Sequence, residues 1–271
     1  MLACRPPRPA SHRPKRSHAM AVVEKLKTKT DPVWQTRVDL AAAYQLSAKM
    51  GMTEGIDNHF TARVPGTTDK YFINPKGLHW AEITASDVLL CDYQGNVLEG
   101  EHSPPRSGPC IHFPLHEAHP RGGAVFHTHM PWSTALGAIK GGRVEMIHQN
   151  AMRFYDDIAY DDDFGGLAMT HDEGKRMASI MRDKSVLFLS NHGVITIAES
   201  IGEAFDMMYF IERVCEVQIL AMSSGRPLNV CRQSMVEETR EQFKNFRINA
   251  VRHFEALKRT YLDREGSNYA S

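Results

Sequence analysis

Two β-rich apolar runs, Val186–Ser190 and Val194–Ala198, are separated only by Asn191-His192-Gly193. That spacing leaves room for nothing but a tight turn between two strands. Directly after them, Glu199–Ser224 carries Ala204, Met207, Met208, Phe210, Ile211, Val214 and Ile219 at helical spacing, and Gly225 and Pro227 stop it. A chain with this unit must lay a long apolar helix against a sheet. The rest of the sequence fits that demand. Asp31 as N-cap and Pro32 at the first helical position open a helix with Val38, Leu40, Ala41, Tyr44 and Leu46 on its apolar face, ended by Gly51. From 58 to 100 the period falls towards two, with pieces such as Tyr71–Ile73 and Val88–Cys91 punctuated by Gly66, Pro75, Gly77 and Gly95-Asn96. Residues 110–119 read as a helix despite Pro114, Gly123–His129 as a strand, Pro131 as the start of a short helix, and Met235–Leu262 as one last helix. The expectation is one α/β domain over 31–263, with a disordered basic leader over 1–30 and a frayed tail over 264–271.

Composition narrows the function classes. The 271 residues are 42% hydrophobic, enough for a substantial core. Lys+Arg and Asp+Glu are both 32, so no global field favours nucleic acid or a membrane surface. Arg5, Arg8, Arg13, Lys15 and Arg16 meet no acid before residue 20, which leaves 27 basic residues (32 less 5) against 32 acidic ones beyond. No apolar run approaches the roughly 18–20 residues of a membrane span, and the basic start lacks the apolar segment of a secretory signal. Five scattered cysteines, Cys4, Cys91, Cys110, Cys215 and Cys231, include no C-x-x-C pair. Reduced thiols in a cytoplasmic protein fit that pattern.

Six of the 14 histidines (His102, His112, His116, His119, His127 and His129) fall within 28 residues. His127 and His129 are two apart on an expected strand, so both imidazoles face one side and can reach a single ion. A third His completes a three-nitrogen site with open positions for substrate, and His192 in its tight turn is the candidate. Spacing alone does not separate this arrangement from three structural histidines.

At these residues the sequence resembles the class II aldolase/adducin family. The resemblance runs from about 35 to 225. It is carried by Gly55-Ile56-Asp57-Asn58-His59-Phe60-Thr61, Ile73-Asn74-Pro75-Lys76-Gly77-Leu78, Ile111-His112 with His116, Ala124–His129, Leu189–Gly193 and the Glu203–Cys215 stretch. It implies a three-layer α/β/α sandwich with a mostly antiparallel central sheet, and a homo-tetramer with active sites between subunits. It also implies one divalent metal ion per subunit on His127, His129 and His192, with manganese or zinc favoured over iron. Asn58, Lys76 and Gly77 match the loops that line the anion pocket of the family's aldolases.

The departures from the aldolase pattern point to the chemistry. Sugar-phosphate aldolases of the family carry P-S-S-E before the H-x-H, and this chain has Pro105-Arg106-Ser107-Gly108. Gly108 stands at the acid/base Glu position and cannot transfer a proton. Gln149 stands where those aldolases have a proton-donating Tyr. Arg106 offers a bidentate fork to a carboxylate. Aldol cleavage needs a base to begin, whereas decarboxylation expels CO2 from an already ionised carboxylate and needs only a later proton donor. The leading expectation is therefore a metal-dependent, non-oxidative decarboxylase of an ortho-hydroxy aromatic or pyridine carboxylate. Examples are 3-hydroxy-2-methylpyridine-4,5-dicarboxylate and the dihydroxyphthalates, on which family members act. His112 and His116, one helical turn apart, are the candidate proton donors, and Asn58, Lys76, Gly77, Arg106, Ser107 and Gln149 the candidate substrate contacts. Three alternatives stand beside it: an aldolase of a non-phosphorylated hydroxy-acid, an iron- and oxygen-dependent decarboxylase of a hydroxyphenylpyruvate-type acid, and a non-catalytic adducin-like binding module.

Overall fold

The structure, a computed structural model, describes residues 31–245 and 248–271. The leader expected over 1–30 lies outside the described residues. Helix α1 (Pro32–Lys49) starts as its sequence signals require: Asp31 Oδ1 accepts the Val33 N–H at 2.9 Å and Pro32 follows it. Four strands come next, β1 (His59–Arg63), β2 (Lys70–Ile73), β3 (Leu89–Asp92) and β4 (Val97–Glu99). Then come α2 (Ser107–Ala118), β5 (Ala124–Thr128), α3 (Pro131–Gly137), a 3₁₀ segment (Gln149–Phe154) and β6 (Ile158–Asp161). Helix α4 (His171–Met181) leads to β7 (Val186–Leu189) and β8 (Gly193–Ala198), followed by α5 (Ile201–Ser223), α6 (Gln233–Lys244) and α7 (Ile248–Lys258).

One sheet holds the eight strands in the order β4-β3-β2-β1-β5-β8-β7-β6, and only the β6–β7 pair is parallel. Successive residues of a strand point to opposite faces, so the sheet feeds two cores. On one side Phe60, Phe72, Phe126 and Phe188 pack with Leu40 and Tyr44 of α1, Phe205 and Ile211 of α5, and Phe254 of α7. On the other, Val125, Leu187, Ile195 and Ile197 pack with Ile111 and Leu115 of α2 and Met177 and Met181 of α4. The expected α/β/α layering with a mostly antiparallel sheet is what forms.

Three local expectations need correction or refinement. Pro114 is accommodated inside α2. It has no N–H to return to the Cys110 carbonyl, and α4 packs there through Gly174, where an added Cβ would stand 2.2 Å from that oxygen. The single last helix is instead α6 and α7, with α6 closing at Asn245. The two halves have different main partners: α6 lies on the 3₁₀ segment and α7 on α5. The tail does not fray. The Ala85 and Ser86 N–H groups donate to Tyr269 O at 2.8 Å and Ser271 O at 3.0 Å, and the Tyr269 hydroxyl donates to Asp263 at 3.0 Å.

The long helix also fixes the chain just beyond His129. Glu212 of α5 is buried, and its two carboxylate oxygens accept the Trp132 and Ser133 N–H groups at 2.8 and 2.9 Å. These are orphan donors in the first turn of α3. Glu212→Ala would leave both without a partner, and denaturant unfolding should show a loss of roughly 2–4 kcal/mol.

Candidate metal and active site

Each metal candidate comes from a different kind of position. His127 lies in β5, His129 just past its end, and His192 in the β7–β8 connection. Antiparallel pairing of β5 with β8, Thr128 opposite Val194, brings that connection alongside the strand end. One ligand nitrogen from each of the three lies within 4.8 Å of the others, so the structure brings together the trio read from the sequence.

Proton placement shows what the trio is built to hold. His127 Nδ1 lies 3.1 Å from the Val194 carbonyl, and His129 Nδ1 meets the Glu54 carboxylate. Neither partner has a proton to give, so both Nδ1 atoms donate and both Nε2 atoms carry bare lone pairs in the neutral rings. Those two Nε2 atoms stand 3.1 Å from each other. Lone pairs so close repel unless a cation lies against both. Burial keeps the His127 pKa well below its ordinary value, and burial with the neighbouring His129 brings His192 down to about 4. Neutral imidazoles with anchored Nδ1 atoms suit a divalent ion, and Glu54 orients a ligand as carboxylates do at such sites.

A second layer of histidines lies behind the first. His59, in β1 directly opposite His127, stands with its ring centroid 5.1 Å from that of His127. Its Nε2 lies 3.0 Å from the Ser107 hydroxyl oxygen, and its Nδ1 lies 2.9 Å from His112 Nε2. Burial, reinforced by His129 and His192, lowers its pKa to about 3. Gly108 touches the same ring. A Cβ added there would stand 2.5 Å from Ile73 Cδ1, the movable tip of that side chain, and 3.5 Å from His59 Cγ, an ordinary contact.

The remaining candidates divide. Asn58, held at a positive φ of 76°, accepts the His129 N–H at 3.3 Å, and its buried Nδ2 has no partner. Ser107 opens α2 beside His59, with Arg106 exposed at the same helix end. Lys76 and Gly77 lie in an exposed loop tied to Ser103 through the Lys76 N–H. His112 and His116 are fully buried. Their shared helical face points at Thr61 of β1, so neither is a proton donor to substrate. Gln149 is not part of the cluster. It lines a separate cleft of about 350 Å³ with Met152, Met235, Thr239, Gln242 and Phe243. Sequence reading gave no role to Glu54, His59 or Thr61. The alternation of His59 and Thr61 on one face of β1 was the available signal for two of them.

Glu54→Ala should weaken zinc binding roughly 10- to 100-fold, measured by competition with a chromogenic chelator, and His127→Ala should weaken it further. An unchanged affinity in Glu54→Ala would remove Glu54 from the ligand-orienting role.

Comparison with known proteins agrees with this architecture. The Class II Aldolase and Adducin N-terminal domain matches residues 38–219. An adducin-related protein of Schizosaccharomyces pombe is 33% identical over 239 residues, covering 84% of this chain and 71% of that protein. Decarboxylase NovR of Streptomyces niveus is 30% identical over 189 residues, covering 69% and 70%. A crystal structure of an aldolase II superfamily protein from Pseudomonas syringae has a TM-score of 0.84 at 33% identity, over 93% of this chain and 100% of that one. By sequence match and fold, the chain belongs to the class II aldolase/adducin family.

Proposed function

We propose that this protein is a metal-dependent carbon–carbon lyase, and that its reaction is non-oxidative decarboxylation of an ortho-hydroxy aromatic or pyridine carboxylate. The observation that carries the reading is the combination of three clustered, ligand-ready histidines with Gly108, which has no side chain to act as acid or base. A divalent ion on His127, His129 and His192, manganese or zinc by the donor set, supplies Lewis-acid withdrawal of electron density from the substrate's oxygens. The chain's own groups do the rest. The unpaired Asn58 Nδ2, Ser107 and the Arg106 guanidinium, with Lys76 on the neighbouring loop, receive the anionic end of the substrate. His59, neutral throughout, holds the Ser107 hydroxyl through its bare Nε2. The carboxylate leaves as CO2, and its bonding electrons remain on the ring carbon. The Ser107 hydroxyl gives its proton to that carbon and regains one from water, which leaves as hydroxide, so the step balances with one proton donor and no oxidant. The NovR relative, itself named a decarboxylase, supports this direction over aldol cleavage. A homo-tetramer with sites between subunits completes the proposal.

The test is CO2 release under argon from a panel of ortho-hydroxy aromatic and pyridine carboxylates with manganese-loaded protein. Release is expected from the wild type and none from His127→Ala. His59→Gln should retain metal but lose roughly 10²- to 10⁴-fold in kcat. Aldehyde or ketone release in place of CO2, or a requirement for oxygen, would replace this reading with one of its rivals.

A further inference from the structure

Behind His59 runs an unbroken row of polar contacts. His59 Nδ1 lies 2.9 Å from His112 Nε2, and His112 Nδ1 lies 2.7 Å from Thr61 Oγ1. Thr61 Oγ1 lies 2.7 Å from His116 Nε2, and His116 Nδ1 lies 2.9 Å from the Gly122 carbonyl. Thr61, His112 and His116 are fully buried. The row exists because two periodicities stay in step. Two residues of β1 advance about 6.8 Å and four residues of α2 about 6 Å, so His59 and Thr61 interleave with His112 and His116.

One end of the row fixes every proton in it. The Gly122 carbonyl can only accept, so neutral His116 carries its proton on Nδ1 and its Nε2 must receive one. Only the Thr61 hydroxyl can give it. That hydroxyl has a single proton, and its other acceptor, the Val125 carbonyl, is farther away at 3.3 Å. Thr61 Oγ1 therefore accepts from His112 Nδ1–H. His112 Nε2 then accepts from His59 Nδ1–H, and His59 Nε2 is left as a lone pair facing Ser107.

We propose that Thr61, His112 and His116 are positioning residues whose one-way hydrogen-bond chain, anchored on the Gly122 carbonyl, locks His59 in the Nδ1–H tautomer. His59 thus always presents a proton-free Nε2 to Ser107 and the cleft. The functional consequence rests on the reading of His59 as the ring that holds the Ser107 hydroxyl in the proposed lyase, but the lock itself is a property of the folded chain and is measurable without substrate.

The experiment uses full-length protein labelled with ¹⁵N-histidine and loaded with zinc, with the His59 signals assigned by their loss in His59→Gln. Two-bond ¹⁵N–¹H correlation spectra should show a pyridine-type Nε2 and a pyrrole-type Nδ1 at His59. Thr61→Ser keeps the hydroxyl and should keep that pattern. Thr61→Val keeps the shape but removes the hydroxyl, so His59 should show mixed tautomers. Where the release assay gives turnover, kcat of Thr61→Val should fall on the order of 10²-fold with KM unchanged, and Thr61→Ser should restore it. A protonated Nε2 at His59 in the wild type overturns the lock whether or not any variant folds. An unaltered tautomer in folded Thr61→Val overturns it as well. The expected tautomer pattern in a protein that releases no CO2 from any acid upholds the lock and refutes the lyase reading alone.

Discussion

The site depends on the register in which β1, β5 and β8 pair. His59 lies opposite His127, Thr61 opposite Val125, and Thr128 opposite Val194. From those three pairings follow the position of His59 beside the metal trio, the reach of Thr61 towards α2, and the arrival of His192 at the end of β5. A slip of one residue in β5 would turn His127 to the opposite face and put Phe126 or Thr128 in its place. The register is held by burial on both sides. Phe60 and Phe126 stack at 3.8 Å on one face, while Val125 and Ile195 lie in the core beneath α2 and α4 on the other. Packing far from any reacting atom therefore decides which imidazoles meet.

So many histidines can crowd together because they stay neutral. Burial brings His59 and His116 to about 3 and His192 to about 4. Charging any of them would put a cation in low dielectric beside other rings. A neutral imidazole has one donor and one acceptor, so a line of them can be fully satisfied with a hydroxyl to pass direction along and a carbonyl to end it. Other buried polar atoms do lack partners, among them Asn58 Nδ2 beside the metal trio and Asn74 Nδ2 just after β2. An orphan donor at the edge of the site is a natural contact for an anionic ligand.

The sequence made the metal trio legible because its signals are local. Two histidines two apart on a strand share a face, and one in a three-residue connection between strands has few places to go. The caps of α1 and the stops of α5 are local in the same sense. What it did not show is the row behind the trio, since His59 and His112 are 53 positions apart and meet only when β1 packs under α2. The pairing of His112 with His116 on one helical face was readable, but not whether that face looked outward to substrate or inward to Thr61. Glu54 reaches His129 across 75 positions from an irregular turn that has no period to read. The break between α6 and α7 escaped for a related reason. The apolar pattern continues from Phe243 to Ile248 and Val251, so nothing local separates the two halves, and their different partners are a tertiary property.

Gly108 therefore leaves the proton chemistry to the groups around it. It has no side chain to carry a proton, and a Cβ placed there would meet the movable tip of Ile73 at 2.5 Å and the His59 ring at an ordinary contact distance. The hydroxyl beside it is that of Ser107, and the ring against that hydroxyl comes from β1, backed in turn by His112, Thr61 and His116. A carboxylate at an open site titrates against solvent, whereas an imidazole in such a row has its tautomer set by the protein. A neutral ring that can only accept holds a hydroxyl in one direction without taking its proton away. A site of that kind suits a reaction that needs no base to begin and one proton delivered after the carbon–carbon bond has broken.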